Sequence, residues 1–294
     1  MSDLINQHFG FGCVALASQK DLRSALTILD KAYISGIRYF DTAPVYSKGY
    51  SERILGTFIK NKRSEVIVTT KFGLSEIKPS RLPLNLMLWL KYKLKGVNHA
   101  SAGSLDLKPE QHDLLPRIIE RKEIEKSFKQ SLENLQTDYI DCFLLHEGLS
   151  EFLTEDALAF LISLKEDGRI AKLGLATNFH NTAREKNLNI WDVIQYENSP
   201  HDTRSDDFVL QHPDKTHIYH SVLKGLSQIN TNDKFTKPEL AGIILSHEHR
   251  KNPSGKILFS TTSPIHLEEN LKQLTRFETW SKVDLKQEID YAFS

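Results

Sequence analysis

The sequence predicts an α/β protein built as a single (β/α)8, or TIM, barrel with long substrate loops at the C-terminal face of its strands. Three observations predict it. Strand-like and helix-like periodicities alternate from one end of the chain to the other. Eight apolar runs are separated by seven helical stretches, and an eighth helix follows the last run. The Gly10-Phe-Gly12 pair lacks the third glycine and the later acid of a dinucleotide fingerprint, which weakens the case for an open, doubly wound sheet. Alternation implies parallel strands, because a parallel neighbour is reached only by carrying the chain back along a helix. Eight such units in 294 residues fit a closed barrel. With no interdomain linker or low-complexity segment, one domain over residues 1–294 is expected.

The elements follow in order. Residues 9–16 (FGFGCVAL) form a short apolar run punctuated by glycine. Residues 22–35 place Leu22, Ala25, Leu26, Leu29, Ala32 and Tyr33 at helical spacing, and Gly36 is a plausible stop. Residues 37–41 read as a strand, 52–61 as a helix and 65–71 (EVIVTTK) as a β-branched strand. A helix over 117–135, a strand over 139–146 and a helix over 154–167 closed by Gly168 come next. Then follow strand 171–177, short helix 181–189, strand 193–198, weak helix 206–211 and strand 216–223. Helix 237–249, strand 256–262 and helix 266–277 complete the alternation. Two excursions break it: an insertion over 73–116, too long for a simple connection, and a tail over 278–294. Together with the 224–236 connection, these are expected to shape the substrate pocket.

Composition narrows the function. Thirty-eight basic side chains balance 38 acidic ones, so no general attraction to nucleic acid or to an anionic membrane is expected. The opening MSDLINQHFGFGC lacks the pattern of a secretory signal, and no apolar run is long enough to cross a bilayer. The segment LPLNLMLWLKYKL, residues 82–94, reads as a packed loop helix, with a peripheral membrane contact as the lesser alternative. Cys13 and Cys142 each lie inside an apolar run and read as small buried hydrophobes in a reducing, cytoplasmic setting. His247-Glu-His249 and the pair His212 and His217 lack metal-ligand spacing and are expected to be surface histidines, with no metal bound. Ser221 is not in a G-x-S-x-G turn, which argues against a hydrolase nucleophile.

In such a barrel chemistry sits where the strands end. That position reads Asp41, Lys71, His146, Asn178, Gln195, Ser221 and Thr261 along the chain. An acid, a base and an imidazole thus converge on one rim, with Tyr46 close by in sequence. A free phenol has a pKa near 10 and moves protons poorly at neutral pH. An ammonium beside it favours the phenolate and should lower that value toward the working range. Asp41 would keep Lys71 charged and pointed, and a neutral His146 would orient a carbonyl oxygen. Tyr46 would then protonate that oxygen, or take the alcohol proton in reverse.

At these residues the sequence resembles the aldo-keto reductase family. GIRYFDTAPVYSKGYSERILGTFIK (36–60) is similar to the family's signature segment, and EVIVTTKFG and YIDCFLLHE to those carrying its lysine and histidine. GRIAKLGLATNF (168–179) and TTSPIHLEENLKQL (261–274) look like its fifth-strand and cofactor-binding segments. The resemblance implies an NAD(P)-dependent enzyme that moves a hydride between a nicotinamide and an aldehyde, ketone or sugar-like alcohol. The alternative is a cofactor-binding regulatory barrel with little turnover, and a metal-dependent barrel hydrolase is a third class. The implied catalytic residues are Asp41, Tyr46, Lys71 and His146. Thr177, Asn178 and Gln195 are expected to meet the carboxamide. Ser221 and Leu223 are expected along the pyrophosphate, and Thr261, His266, Glu269 and Asn270 at the adenosine end.

Two departures stand out. IYHSVLKG places His220, or Tyr219 if the register slips by one, where the family stacks an aromatic ring on the nicotinamide. Ser260 and His266 stand where relatives place cations around a 2′-phosphate, with Lys256 and Lys272 nearby. This departure weakens the case for NADP without establishing NAD, so NADP is expected only from the family's habit, with NAD possible. The expected partner is a small-molecule substrate, on a monomer or weak oligomer.

Overall fold

The computed structural model describes residues 2–47, 49–74, 82–95, 117–226 and 234–293. Much of the 73–116 insertion and residues 227–233 of the connection at 224–236 lie outside the described residues. Eight strands pair in chain order and close on themselves. They are β1 (Phe9–Gly12), β2 (Tyr39–Asp41), β3 (Ile67–Phe72), β4 (Ile140–His146), β5 (Ile170–Ala176), β6 (Val193–Glu197), β7 (Thr216–His220) and β8 (Lys256–Phe259). Every neighbouring pair is parallel. The sequence expectation of a (β/α)8 barrel holds.

Because successive side chains leave a strand on opposite faces, each strand feeds two cores. Tyr39, Cys142, Leu144, Ala176, Val193, Ile218 and Leu258 fill the barrel interior. The outward positions, such as Phe40, Val68, Phe143, Leu145 and Ile194, join a larger core beneath the helices. On β1 the interior position is Gly10, where a Cβ would stand 2.6 Å from Leu258 and 2.8 Å from Tyr39. The barrel closes tightly there because β1 contributes no side chain.

The helices are α1 (Ser2–His8), α2 (Leu22–Ile34), α3 (Tyr50–Ile59), α4 (Leu84–Lys95), α5 (Arg121–Leu135), α6 (Glu155–Glu166), α7 (Phe179–Thr182), α8 (Arg204–Gln211), α9 (Lys237–Lys251), α10 (Pro264–Arg276) and α11 (Lys282–Phe293). Capping boxes start α5 at Glu120 and α9 at Thr236. Gly56 lets α3 meet α5 closely, since a Cβ there would lie 2.3 Å from the Asn134 carbonyl oxygen.

Several expected boundaries move, each for a local reason. The run 9–16 leaves the ladder at Gly12 and becomes a 3-10 turn over Cys13–Ser18, with Cys13, Leu16 and Ala17 buried rather than paired. Strands expected over 216–223 and 256–262 stop at His220 and Phe259. The helix expected over 117–135 starts at Arg121, because Ile119 bridges to Leu153 instead. The helix expected over 181–189 begins two residues early, where the Asn178 side chain caps Asn181 N–H, and ends at Thr182. Glu185 then accepts from Ser150 and from Asn187 N–H, holding the chain out of a helix.

Helix α1 is not among the expected elements; it lies at the N-terminal end of the barrel, where the Lys256 ammonium donates to the Gln7 carbonyl. The tail carries α11, docked through Leu285 and Ile289 on Ile243, Ile244 and Phe277. The segment read as a packed loop helix is α4, which buries Met87 and Leu88 and leaves Leu86 and Trp89 exposed. Not all the histidines expected at the surface are there. His217 and His247 are buried, engaged respectively with the His212 carbonyl and with Glu248. Among the described residues no helix is long and apolar enough to cross a membrane.

Candidate active site

The strand register gathers the candidate residues at one end of the barrel. Gly12 pairs with Asp41, Lys71 with Leu144, His146 with Ala176, Ala176 with Gln195, and Glu197 with His220. Asp41, His146 and His220 therefore end their strands, and Lys71 and Gln195 stand one and two residues before the ends of theirs, near one level. Backbone bonds extend the rim one step further, from Thr42 N–H to the Thr69 carbonyl and from Asn198 N–H to the His220 carbonyl. Among the described residues four non-glycine residues have positive φ, and three of them, Ser47, Glu147 and Ser221, stand next to candidate positions. Such backbone is strained and is kept where surrounding structure imposes it.

At the centre is Lys71. Its ammonium donates to Asp41 Oδ1 at 2.7 Å, Asp41 Oδ2 at 2.9 Å, the Thr42 carbonyl at 3.0 Å and Tyr46 Oη at 3.3 Å. The side chains of the ion pair are only 2% and 4% exposed, so water screens it little. Burial alone would push Lys71 down, yet the Asp41 charge and Tyr46 hold the ammonium above its ordinary range. Burial pushes the Asp41 carboxyl up, and Lys71 and the Gln195 amide pull part of that back.

Tyr46 is half-buried in the turn between β2 and α3, with its N–H on the Ala43 carbonyl. Burial raises its phenol above the usual value, and the Lys71 charge offsets this only in part. The sequence expectation of a net lowering is therefore corrected: desolvation of the phenolate outweighs the ammonium. His146 meets the Tyr46 ring edge-on, with centroids 6.1 Å apart. Burial, the Lys71 charge and His220 hold His146 well below the usual imidazole range, so the ring is neutral at neutral pH. His220 is likewise lowered to about 4 by burial and by Lys71 and Lys224.

The residues assigned to a cofactor are placed unevenly. Gln195 Nε2 donates to Asp41 Oδ2 at 3.2 Å, while its buried Oε1 has no partner. Asn178 Oδ1 is engaged by the Asn181 N–H and the Thr177 hydroxyl by Glu147. His220 Nδ1 lies 2.9 Å from Ser221 Oγ. Leu223 is half-buried between the larger core beneath the helices and the cluster that docks α11 on α9. Thr261 folds back to Ser263, and His266 is exposed with its N–H on Ser263 Oγ. Glu269 and Asn270 are half-buried on α10. Lys256, noted as near a 2′-phosphate, opens β8 at the opposite end of the barrel and cannot serve that rim. Lys272 is exposed on α10.

Sequence reading missed a second layer behind the rim. Ser51 donates to the Cys13 carbonyl and receives Thr42 Oγ1, and Glu52 is buried against Thr70, Ser131 and Asn134. A glutamate at the head of a helix reads as solvated, so its only signal was its place inside the quoted signature-like segment.

The uncharacterized oxidoreductase YqkF of Bacillus subtilis is 30% identical over 195 residues, 66% of this chain and 53% of the relative. A D-threo-aldose 1-dehydrogenase from Pseudomonas sp is 34% identical over 162 residues, 52% of this chain and 44% of the relative. The chain thus spans about half the length of these curated relatives. Among solved structures, the holo aldo-keto reductase AKR11C1 from Bacillus halodurans superposes with a TM-score of 0.67 at 20% identity, over 97% of this chain and 91% of that one. An aldo-keto reductase from Klebsiella pneumoniae, solved in complex with NADPH, gives 0.64 at 16% identity, over 97% and 90%. At such identities the likeness is one of fold. A family model described as the aldo/keto reductase family matches residues 8–206, more than half of the sequence, and the chain belongs to that family.

Proposed function

We propose that the protein is an NAD(P)-dependent oxidoreductase that moves a hydride between a nicotinamide cofactor and an aldehyde, a ketone or a sugar-like alcohol. The observation that carries this is the Lys71 ammonium shared between Asp41 and Tyr46 Oη. Family membership and the similarity to an aldose dehydrogenase and an oxidoreductase point the same way.

The rim fits the nicotinamide end of such a cofactor. Gln195 Oε1 is a buried acceptor without a partner, suited to a carboxamide N–H. His220 ends β7 at the same level and offers a flat, neutral ring to stack against. Thr177 and Asn178 would line the carboxamide side, Ser221 and Leu223 the pyrophosphate, and Thr261, His266, Glu269 and Asn270 the adenosine. NADP is the favoured form on the example of the relative solved with NADPH, with NAD possible. When bound, the nicotinamide supplies or accepts the hydride.

The chain's own residues handle the proton. In reduction, Tyr46 Oη gives its proton to the substrate oxygen, and Lys71 stabilises the phenolate left behind. Asp41 keeps Lys71 charged and fixed, so little reorganisation is needed as charge develops. His146, held neutral, donates or accepts a hydrogen bond at the substrate oxygen. In oxidation the phenolate takes the alcohol proton back. Replacing Tyr46 by Phe should lower kcat by about 10²–10⁴-fold while leaving NADPH affinity nearly unchanged, as fluorescence titration would read. Unchanged turnover of an aldehyde by that variant would refute the assignment.

A further inference from the structure

We propose that Glu52 is a positioning residue for the proton donor, setting through Thr70 the separation between the Tyr46 hydroxyl and the Lys71 ammonium. The inference rests on the reading above that Tyr46 and Lys71 carry the proton step.

Glu52 is fully buried in the first turn of α3. Its Oε1 accepts from Thr70 Oγ1 and Ser131 Oγ, both at 2.7 Å, and its Oε2 from Asn134 Nδ2 at 2.9 Å. Burial pushes the carboxyl above its usual range, and these three donors pull it part of the way back. A carboxylate between helices and sheet is expensive to bury, and apolar residues of similar volume often pack as well or better there. What its hydrogen bonds position is therefore the informative question.

They close a ring. From Tyr46 the chain passes through the left-handed residues Ser47 and Gly49 into α3, where Ser51 N–H returns to the Tyr46 carbonyl. The Ser51 hydroxyl is tied to the ends of β1 and β2 through the Cys13 carbonyl and Thr42 Oγ1. One residue further, Glu52 reaches β3. Thr70 and Lys71 are consecutive there, so Thr70 faces the helices and Lys71 faces the rim. Lys71 Nζ then returns to Tyr46 Oη at 3.3 Å. Two segments of chain are thus joined by two hydrogen bonds, Glu52 to Thr70 and Lys71 to Tyr46, and the length of the first constrains the second. A contact of 3.3 Å is already long, so a slip of a few tenths of an ångström weakens it steeply. Ser131 and Asn134 of α5 keep the carboxylate from turning away.

The test compares three variants of the full chain. Thr70→Val keeps the branched shape and removes the hydroxyl, Thr70→Ser keeps the hydroxyl, and Glu52→Gln keeps an acceptor for it. Each is measured for kcat and KM in NADPH-dependent reduction of a simple aromatic aldehyde, for NADPH affinity, and for titration of Tyr46. That titration is followed by NMR of isotope-labelled tyrosine, assigned against Tyr46→Phe. Thr70→Val should lower kcat by roughly tenfold to a hundredfold with little change in NADPH affinity. The Tyr46 titration should move upward as the ammonium loosens. Thr70→Ser and Glu52→Gln should recover most of both. If Thr70→Val does not fold, Ser131→Ala, which frees the same carboxylate on one side, should move the titration the same way by less. Unmoved titration and unchanged kcat in the altered chain overturn the proposal. Retained turnover in Tyr46→Phe, alongside a moved Tyr46 titration in Thr70→Val, would instead sink the functional reading and leave the positioning intact.

Discussion

Lys71 Nζ lies 2.7 Å from Asp41 Oδ1 and 3.3 Å from Tyr46 Oη, so one buried cation is shared by a carboxylate and a phenol. The carboxylate holds the closer place, which makes Asp41 the group that keeps the ammonium charged inside the barrel mouth.

Asp41→Asn should therefore be costly in two ways. It leaves Lys71 as a buried charge without its counter-ion, for an expected loss of about 3–5 kcal/mol in unfolding free energy by urea titration. It also removes the charge that raises the Lys71 pKa, so the ammonium should deprotonate at lower pH and the basic limb of the pH–kcat profile should shift down. A variant with parental stability and an unmoved basic limb would show that the pair is dispensable.

The imidazoles predict how stability responds to acid. His220 is lowered from 6.5 to about 4 by burial, Lys71 and Lys224. Between those values the unfolded chain binds a proton that the folded chain refuses, so stability falls as pH drops from 6.5 toward 4 and levels off below. His249, also lowered to about 4, adds in the same window and with the same sign. His220→Phe should flatten the slope of unfolding free energy against pH across that range. An unchanged slope would mean that His220 titrates freely in the folded protein.

Gln195 sets up a third expectation. Its Nε2 is engaged with Asp41 and its buried Oε1 has no partner, so on the proposed function it accepts from the carboxamide. Gln195→Leu should weaken NADPH and NADH alike by about 1.5 kcal/mol, roughly tenfold in Kd, read by tryptophan fluorescence. Equal affinity in the variant would place the carboxamide elsewhere.

The fold was legible because eight strands buried on both faces keep apolar runs, and the helices between them keep a 3.6-residue period. Boundaries failed where burial outlasts the ladder: Cys13, Leu16 and Ala17 are core residues in a turn, and Val222 is buried beyond β7. Asp41, Lys71 and His146 could be placed because a strand end is a marked position in this architecture. Glu52 could not, since nothing in a helical pattern distinguishes a carboxylate facing three donors from one facing water. Lys256 misled although its place was legible. The expected strand 256–262 already opens on it, and a parallel strand opens at the end of the barrel opposite the rim, where the Gln7 carbonyl holds this lysine.

The approach of α3 to α5 yields the last expectation, at Gly56. A Cβ at that position would stand 2.3 Å from the Asn134 carbonyl oxygen and 2.8 Å from the Leu135 carbonyl carbon, both backbone atoms that no rotamer change can move. Gly56→Ala must therefore push α3 away from α5. The strain should cost about 1–3 kcal/mol, seen as a lower Tm. The same displacement draws Glu52 from Ser131 and Asn134, whose partners sit on the helix being pushed back. The variant should then lose kcat beyond what its folded fraction explains, because a relaxed Glu52 no longer holds β3 against the Tyr46 turn. If activity per folded molecule stays at the parental level while Tm falls, the helix contact serves stability alone and the rim is held by β2 and β3 without it.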